Sequence, residues 1–354
     1  MSPTRVLVTG GCGFIGTSIV SALLLTKKYA ITAIDINPPS LGSTTFTNSV
    51  RYVRCDILDP SSLQTVFAAA QPAIVIHTVG AYLLGAMRYS MKGKEAIFKV
   101  NVDGTRNVVE ASRSCGAKGM VYTSSVTVVL DKLDRDFRNV DEGWPVGEVD
   151  TSYGMSKATA ETLVLSSSTP TFATCALRPA PTFGPNDTTL IPTIHSCIPA
   201  AQTPYLLGPG TNLCDFVYVE NVAYAHVLAV SNLLTSQTAA GEAMFITNGE
   251  PITMRDLCLS VWKEFDHVPA FTVRVPETVA WCAGYCAEWV DWARGAEGGG
   301  VLSRGIVGEA CRDRYVSIAK ATALLGYRPK VDLEQGLRIT CQHYKAKLQG
   351  QKRK

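Results

Sequence analysis

Residues 5–16 read RVLVTGGCGFIG, and this stretch decides the fold. Val6 to Thr9 make a short β-rich run, and Gly10, Gly13 and Gly16 follow at three-residue spacing before the apolar helical run SIVSALLLT at 18–26. Glycine is required at such a turn for three reasons. The turn is tight, the backbone has to approach a pyrophosphate, and the helix has to pack closely on the strand. Phe14 and Ile15 open the helix, so its free N–H groups and partial positive charge face the same place. A glycine triplet alone is weak, but here it sits between a strand and a helix, the context that dinucleotide binding needs.

Working outward, the first 180 residues alternate strand-like and helical runs. RVLVTG, AITAIDI, VRYVRCDI, AIVIHTVG, GMVYTSS and TFATCALRP read as strands. SIVSALLLT, SLQTVFAAA, VDGTRNVVEASR and a stretch starting near Tyr153 read as helices. This is the pattern of an α/β chain with a Rossmann-type, doubly wound parallel sheet. After about Pro181 the pattern becomes irregular and rich in Pro and Gly, as expected of a smaller C-terminal substrate-binding part. The expected division is 1–180 for the NAD-binding domain and 181–344 for the mostly substrate-binding region. Elements near 215–235 are expected to pack back on the first domain, with 345–354 a basic tail. GAEGGG at 295–300 reads as a mobile loop.

Asp35 ends the second strand, 19 residues after Gly16. An acid there can accept hydrogen bonds from both ribose hydroxyls of NAD and would repel a 2′-phosphate. Ile36, Asn37, Pro38 and Pro39 bring no arginine to welcome that phosphate, so NAD is favoured over NADP. Asp56 and Ile57, after the third strand, are placed to flank the adenine; they read equally as a capping acid and a core aliphatic.

Tyr153 and Lys157 stand four apart on a helix and so share a face. A tyrosine of ordinary pKa, about 10, is a poor base at neutral pH. A nearby ammonium and the positive nicotinamide of NAD favour its phenolate, which can accept a proton from an alcohol while hydride leaves for the cofactor. Ser124 and Ser125 end the fifth strand, where a hydroxyl can hold the substrate oxygen. No other cluster competes. The five histidines are dispersed, with His77 and His226 reading as packed or capping residues, and no metal site is expected. Asp141 and Glu142 read as an acidic surface turn, and Arg312 and Arg314 as solvated charges near the pocket mouth.

TGGCGFIG, NVDGTRNVVEAS, VYTSS, YGMSK and LRPAPTFGP resemble the extended short-chain dehydrogenase/reductase superfamily. GTNLCDFVYVENVAYAHVLA and LGYRPKVDLEQGL narrow the resemblance to the 3β-hydroxysteroid dehydrogenase/isomerase family, and within it to the branch of decarboxylating sterol-4α-carboxylate 3-dehydrogenases. The resemblance covers residues 5–250 and a piece around 315–340. It implies that Tyr153 is the general base, that Lys157 lowers its pKa and binds the nicotinamide ribose, and that Ser125 bonds the reacting oxygen. It further implies that Pro179 touches the nicotinamide and that Asn101 is a structural hydrogen-bonder. The implied activity is NAD-dependent oxidation of a 3β-type alcohol on a sterol, steroid or terpenoid ring, with decarboxylation where a neighbouring carboxylate is present. A nucleotide-sugar epimerase, a ketone reductase of the same superfamily and a non-catalytic dinucleotide sensor remain alternatives.

Composition sets the surroundings. The 354 residues carry a formal charge of +3, but Lys345, Lys347, Lys352, Arg353 and Lys354 crowd the end of the chain. With those five of the 33 basic side chains set aside, 28 face 30 acidic ones, so the body offers no nucleic-acid surface. The 11 cysteines lack paired spacing and read as free thiols of a reducing compartment. The chain opens directly on a strand, not on a signal peptide, and holds no apolar run of spanning length. In VPETVAWCAGYCAEWVDWA (275–293) a helix sets Trp281, Tyr285, Trp289 and Trp292 on one side. Val279, Cys282, Ala283, Cys286 and Val290 form a small apolar face expected to be buried. The expected setting is cytoplasmic, with room for a peripheral contact to an endoplasmic reticulum membrane through this helix and for a homodimer.

Overall fold

The computed structural model describes residues 3–39, 49–83, 85–89, 91, 93–294 and 302–352. Seven strands form one parallel sheet: β1 (Thr4–Thr9), β2 (Tyr29–Asp35), β3 (Val50–Arg54), β4 (Ile74–His77), β5 (Gly119–Thr123), β6 (Ala173–Pro179) and β7 (Ala243–Ile246). Their order is β3-β2-β1-β4-β5-β6-β7, so the chain winds outward in both directions from β1. The strands are short apolar runs because both faces are covered. Alternation along β1 shows this directly: Val6 and Val8 join one core and Leu7 the other.

The first core is completed by α1 (Phe14–Thr26), through Ile19, Val20 and Leu23, and by a later helix described below. The second is completed by α2 (Pro60–Ala70), α3 (Gly104–Ser114) and α4 (Ser152–Ser166), through Leu63, Phe67, Val108, Ala160 and Val164. Local chemistry marks the ends. Asp59 accepts from the N–H groups of Ser61 and Ser62 to start α2 behind Pro60.

The sheet does not end with the first 180 residues. β7 pairs in parallel with β6, Ala243 opposite Ala176, and helix α5 (Val219–Leu234) lies on α1 in the first core. Between and beyond these returns a smaller unit gathers around Phe183, Phe216, Tyr218, Leu257, Trp262 and Leu337. It includes a four-stranded sheet of short strands in the order Ile252–Thr253, Leu213–Cys214, Arg314–Val316, Phe137–Val140.

The aromatic helix is α6 (Glu277–Ala293), and its buried side differs from the expected one. Ala280 and Gly284 are the buried positions, whereas Val279, Cys282, Ala283, Cys286 and Val290 are exposed. The reason is the start of α7 (Arg304–Ala310), which crosses so closely that a Cβ on Gly284 would stand 2.9 Å from the Arg304 nitrogen. Trp281, Tyr285, Trp289 and Trp292 are exposed, as expected. Residues 295–300, read above as a loop, lie outside the described residues, as do Arg353 and Lys354. Residues 345–352 continue the last helix, α8 (Leu333–Lys352). All 11 cysteines are free. Among the described residues no helix is long and apolar enough to cross a membrane.

Candidate active site

A cleft of about 1630 Å³ runs along the carboxyl ends of the central strands, the place where such sheets bind ligands. Gly10, Gly13, Phe14, Ile15, Gly16, Asp35, Asp56 and Ile57 all line it. Two of the glycines are demanded by geometry. Gly10 has φ of 68°, and a Cβ on Gly16 would overlap the Gly10 carbonyl. The start of α1 has no side-chain cap and no acid in its first turn, so its N–H groups stay free for an anion. Asp35 is fixed at the lip by two backbone donors, Cys12 N at 3.1 Å and Asn37 N at 3.0 Å. Asp56 accepts from Leu58 N at 2.9 Å and faces solvent, while Ile57 is buried beneath it against Gly104. A free helix start, an uncrowded glycine turn and an acid beyond it make a donor set that fits a dinucleotide.

The head of the cleft is built by α4. Thr151 starts this helix by accepting from Gly154 N at 3.0 Å, which places Tyr153 in the first turn and Lys157 one turn later. The Tyr153 ring meets the edge of Tyr82, a cleft residue, at 6.2 Å. Burial pushes its hydroxyl up to about 12, against the lowering effect of a hydrogen bond with Ser125 and the charge of Arg88. Ser125 Oγ also accepts from Thr127 N at 3.2 Å, and its neighbour Ser124 has a buried hydroxyl with no protein partner among the described residues. The structure thus brings Ser125, the serine chosen above, to Tyr153.

Lys157 is buried. Its Nζ donates to the Thr123 carbonyl at 2.6 Å and lies 4.3 Å from the Tyr122 ring centre. Burial brings its pKa down to about 7, with Glu161 pulling the other way. Asn101 sits in a π-helical turn (Lys99–Asp103) and holds both backbone groups of Ala81, accepting from the nitrogen at 2.6 Å and donating to the oxygen at 2.9 Å. It also donates to Ser156 Oγ at 2.9 Å, so it braces the cleft wall against α4. Pro179 is buried at the end of β6, with its carbonyl accepting from Val126 N at 3.1 Å.

Other candidates resolve into packing. His77 bonds Thr9 and Thr105, and burial with the nearby Lys157 charge pushes it down to about 3; His226 bonds Thr123 and Val222, and burial brings it to about 4. Both stay neutral. Glu142 is no free surface acid, since it accepts from Phe245 N at 2.8 Å and pins β7. Arg312 pairs with Glu277, and Arg314 is buried rather than solvated, donating to the Leu130 carbonyl at 2.6 Å. Among the described residues no group of histidines, cysteines or acids is arranged to hold a metal. Sequence reading missed one set altogether: Arg88, Asp131 and Glu309, whose members lie far apart in the chain and share no spacing pattern.

The outward-wound parallel sheet, the glycine turn and the Ser125–Tyr153–Lys157 head define an extended short-chain dehydrogenase/reductase, an oxidoreductase acting on a CH–OH group. More narrowly, the chain belongs to the 3-beta hydroxysteroid dehydrogenase/isomerase family, whose model matches residues 7–276. It is 37% identical over 340 residues to the decarboxylating sterol-4-alpha-carboxylate 3-dehydrogenase of Schizosaccharomyces pombe, covering 96% of this chain and 97% of that one. The protein of the same name from Saccharomyces cerevisiae is 36% identical, covering 95% and 96%. Among solved structures, the UDP-glucose 4-epimerase of Thermotoga maritima superposes with a TM-score of 0.74 at 21% identity, covering 98% of this chain and 100% of that chain. That likeness shows the shared fold.

The buried Lys157 yields a pH prediction. Between about pH 7 and pH 10.5 the folded state has released this proton while the unfolded chain still holds it. The unfolded state therefore binds more protons in that window, and the contribution of Lys157 to stability rises with pH. Urea unfolding of wild type and Lys157→Met should show wild type gaining on the variant from pH 7 towards pH 10. A stability difference that does not vary with pH would contradict this.

Proposed function

We propose that this enzyme uses NAD to oxidise the 3β-hydroxyl of a sterol, steroid or terpenoid ring to a ketone, and that a carboxylate on the neighbouring carbon is then lost. The observation that carries the reading is the meeting of Ser125 and Tyr153 at the head of a dinucleotide-shaped cleft. The names of the 36–37% identical relatives supply the substrate class. Residues 1–180 would hold the cofactor and 181–344 most of the substrate side, with 345–354 a basic end. Asp35, fixed at the cleft lip, favours NAD over NADP.

Bound NAD supplies a hydride acceptor and a positive ring charge. The chain supplies the rest. Ser125 Oγ holds the carbinol oxygen, and Tyr153 receives its proton as the C–H hydride departs. At neutral pH Tyr153 is protonated in the described state, so its work as a base depends on positive charge arriving beside it. Lys157, whose pKa stands near 7, can pass that proton onward. Once the ketone has formed, the bond to the carboxylate can break: its electron pair moves towards the ketone oxygen and carbon dioxide leaves. The resulting enolate takes a proton, and Tyr153 stands where it can deliver one. No further catalytic group is needed, because the ketone itself accepts the electrons.

A lipophilic substrate also gives α6 a use. Its 17 residues span about 26 Å, short of the ~30 Å of a bilayer core, while Trp281, Tyr285, Trp289 and Trp292 stand exposed along it. Aromatic rings with polar tips settle at the membrane–water boundary, so we assign α6 a peripheral contact with the membrane that carries the substrate.

Two experiments test these readings. Sterol, terpenoid and sugar-nucleotide alcohols are screened with NAD and NADP by following the reduced cofactor, with wild type and Tyr153→Phe side by side. Sterol-dependent NADH formation is expected, with at least a hundred-fold loss in the variant and near-normal NAD binding; turnover that persists in the variant would refute the assigned chemistry. Separately, replacing the four α6 aromatics by Gln should abolish co-sedimentation with phospholipid vesicles, and unchanged sedimentation would remove the membrane role.

A further inference from the structure

The turn Gly85–Tyr89 and the residues just after it lie across the N-terminal end of α4. Arg88 donates from Nη2 to Asp131 Oδ1 at 2.9 Å, and the other oxygen of Asp131 accepts from Thr151 Oγ1 at 2.5 Å. Thr151 is the cap of α4, two residues ahead of Tyr153. Just past Arg88, Met91 Sδ accepts from Ser152 Oγ at 3.5 Å. Arg88 is thus locked beside the active-site tyrosine by contacts on both sides of it, and its positive charge reaches the Tyr153 hydroxyl.

The two edges of the guanidinium differ. Asp131 is shut away, with a side chain 1% exposed, so that edge serves structure. The other edge, Nη1, faces Glu309 at 3.1 and 3.2 Å, and here the side chains of Arg88 and Glu309 are 28% and 29% exposed. Glu309 does not depend on Arg88 alone, because it also accepts from the Tyr89 hydroxyl and feels the charge of Arg314. Arg88 Nε has no protein partner among the described residues. The remaining cations near the site are committed elsewhere: Lys157 to Thr123, Arg314 to Leu130 and Arg178 to Glu161.

We propose that Arg88 is the anchor for a carboxylate carried on the ring carbon next to the reacting carbinol. The proposal rests on the alcohol oxidation assigned above and adds a binding site to it. A carbinol oxygen held by Tyr153 and Ser125 leaves the substituent on the neighbouring carbon close to those two groups, where Arg88 offers a planar fork suited to a carboxylate. Glu309 then acts as the stand-in that keeps the fork charged and oriented between turnovers. Substrates without the carboxylate would meet an arginine still facing Glu309 and gain nothing from it.

The test compares a 3β-hydroxysterol bearing a 4α-carboxylate with its methyl ester, which keeps the shape and removes the charge. Wild type should favour the acid, and in the double variant Arg88→Met, Glu309→Gln the ratio of the two kcat/KM values should fall at least about ten-fold, whatever happens to each absolute rate. The double change removes both charges together, so no unpaired acid is left at the opened edge. Arg88→Lys keeps the charge but loses the fork, and should also lower the ratio if the double variant does not fold. An unchanged ratio in a variant that folds and binds NAD would overturn the anchor while leaving the alcohol chemistry standing. Failure of wild type to oxidise either compound would overturn the underlying reading.

Discussion

A buried ion pair ties the active-site helix to the sheet. Arg178 on β6 donates to Glu161 on α4 through Nη2 at 2.6 Å and Nε at 3.0 Å, with side chains only 3% and 2% exposed. Removing either partner would leave an uncompensated charge in the core, a cost of about 3–5 kcal/mol. The pair therefore sets how α4 is rotated against the sheet. Glu161 lies one turn from Lys157, and Lys157 one turn from Tyr153. The neighbours of Arg178 on β6 place the other half of the site, since the Leu177 carbonyl accepts from Ser124 N at 2.7 Å and the Pro179 carbonyl from Val126 N at 3.1 Å. Tyr153 and Ser125 meet because both are referenced to one strand.

The same pair accounts for the return of the chain to the sheet at β7. Arg178 would otherwise stand at an edge, and instead its guanidinium lies 5.1 Å from the Phe245 ring centre. Glu142 fastens that strand from the other side through Phe245 N. Cofactor half and substrate half are thereby interleaved around one charged contact.

Much of this was readable in the residues. Glycine at 10, 13 and 16, Asp35 at a strand end, and Tyr153 four before Lys157 are local patterns, and local patterns survive into the structure because one strand or one helix carries each. The six strands of the first half were readable for the same reason. β7 was not: AMFI is only four residues long, and its neighbour β6 lies some seventy residues earlier in the chain. The buried face of α6 was misjudged because a helix apolar on several sides does not say which side a partner will take, and the partner, the start of α7, follows a stretch without periodicity. Arg88, Asp131 and Glu309 converge from three separate segments, so no spacing announces them. The chemistry common to the family is local, whereas what distinguishes one substrate from another is assembled over long range.

The central claim is net hydride removal from the carbon that bears the alcohol. A 3β-hydroxysterol-4α-carboxylate deuterated at the carbinol carbon, incubated with the enzyme and NAD, tests it in one measurement by mass spectrometry. The account predicts deuterium in NADH released to solution, together with a ketone that has lost both the label and the carboxylate carbon. Label retained in an alcohol of inverted configuration, with no reduced cofactor in solution, would contradict it and place the chain with the epimerases.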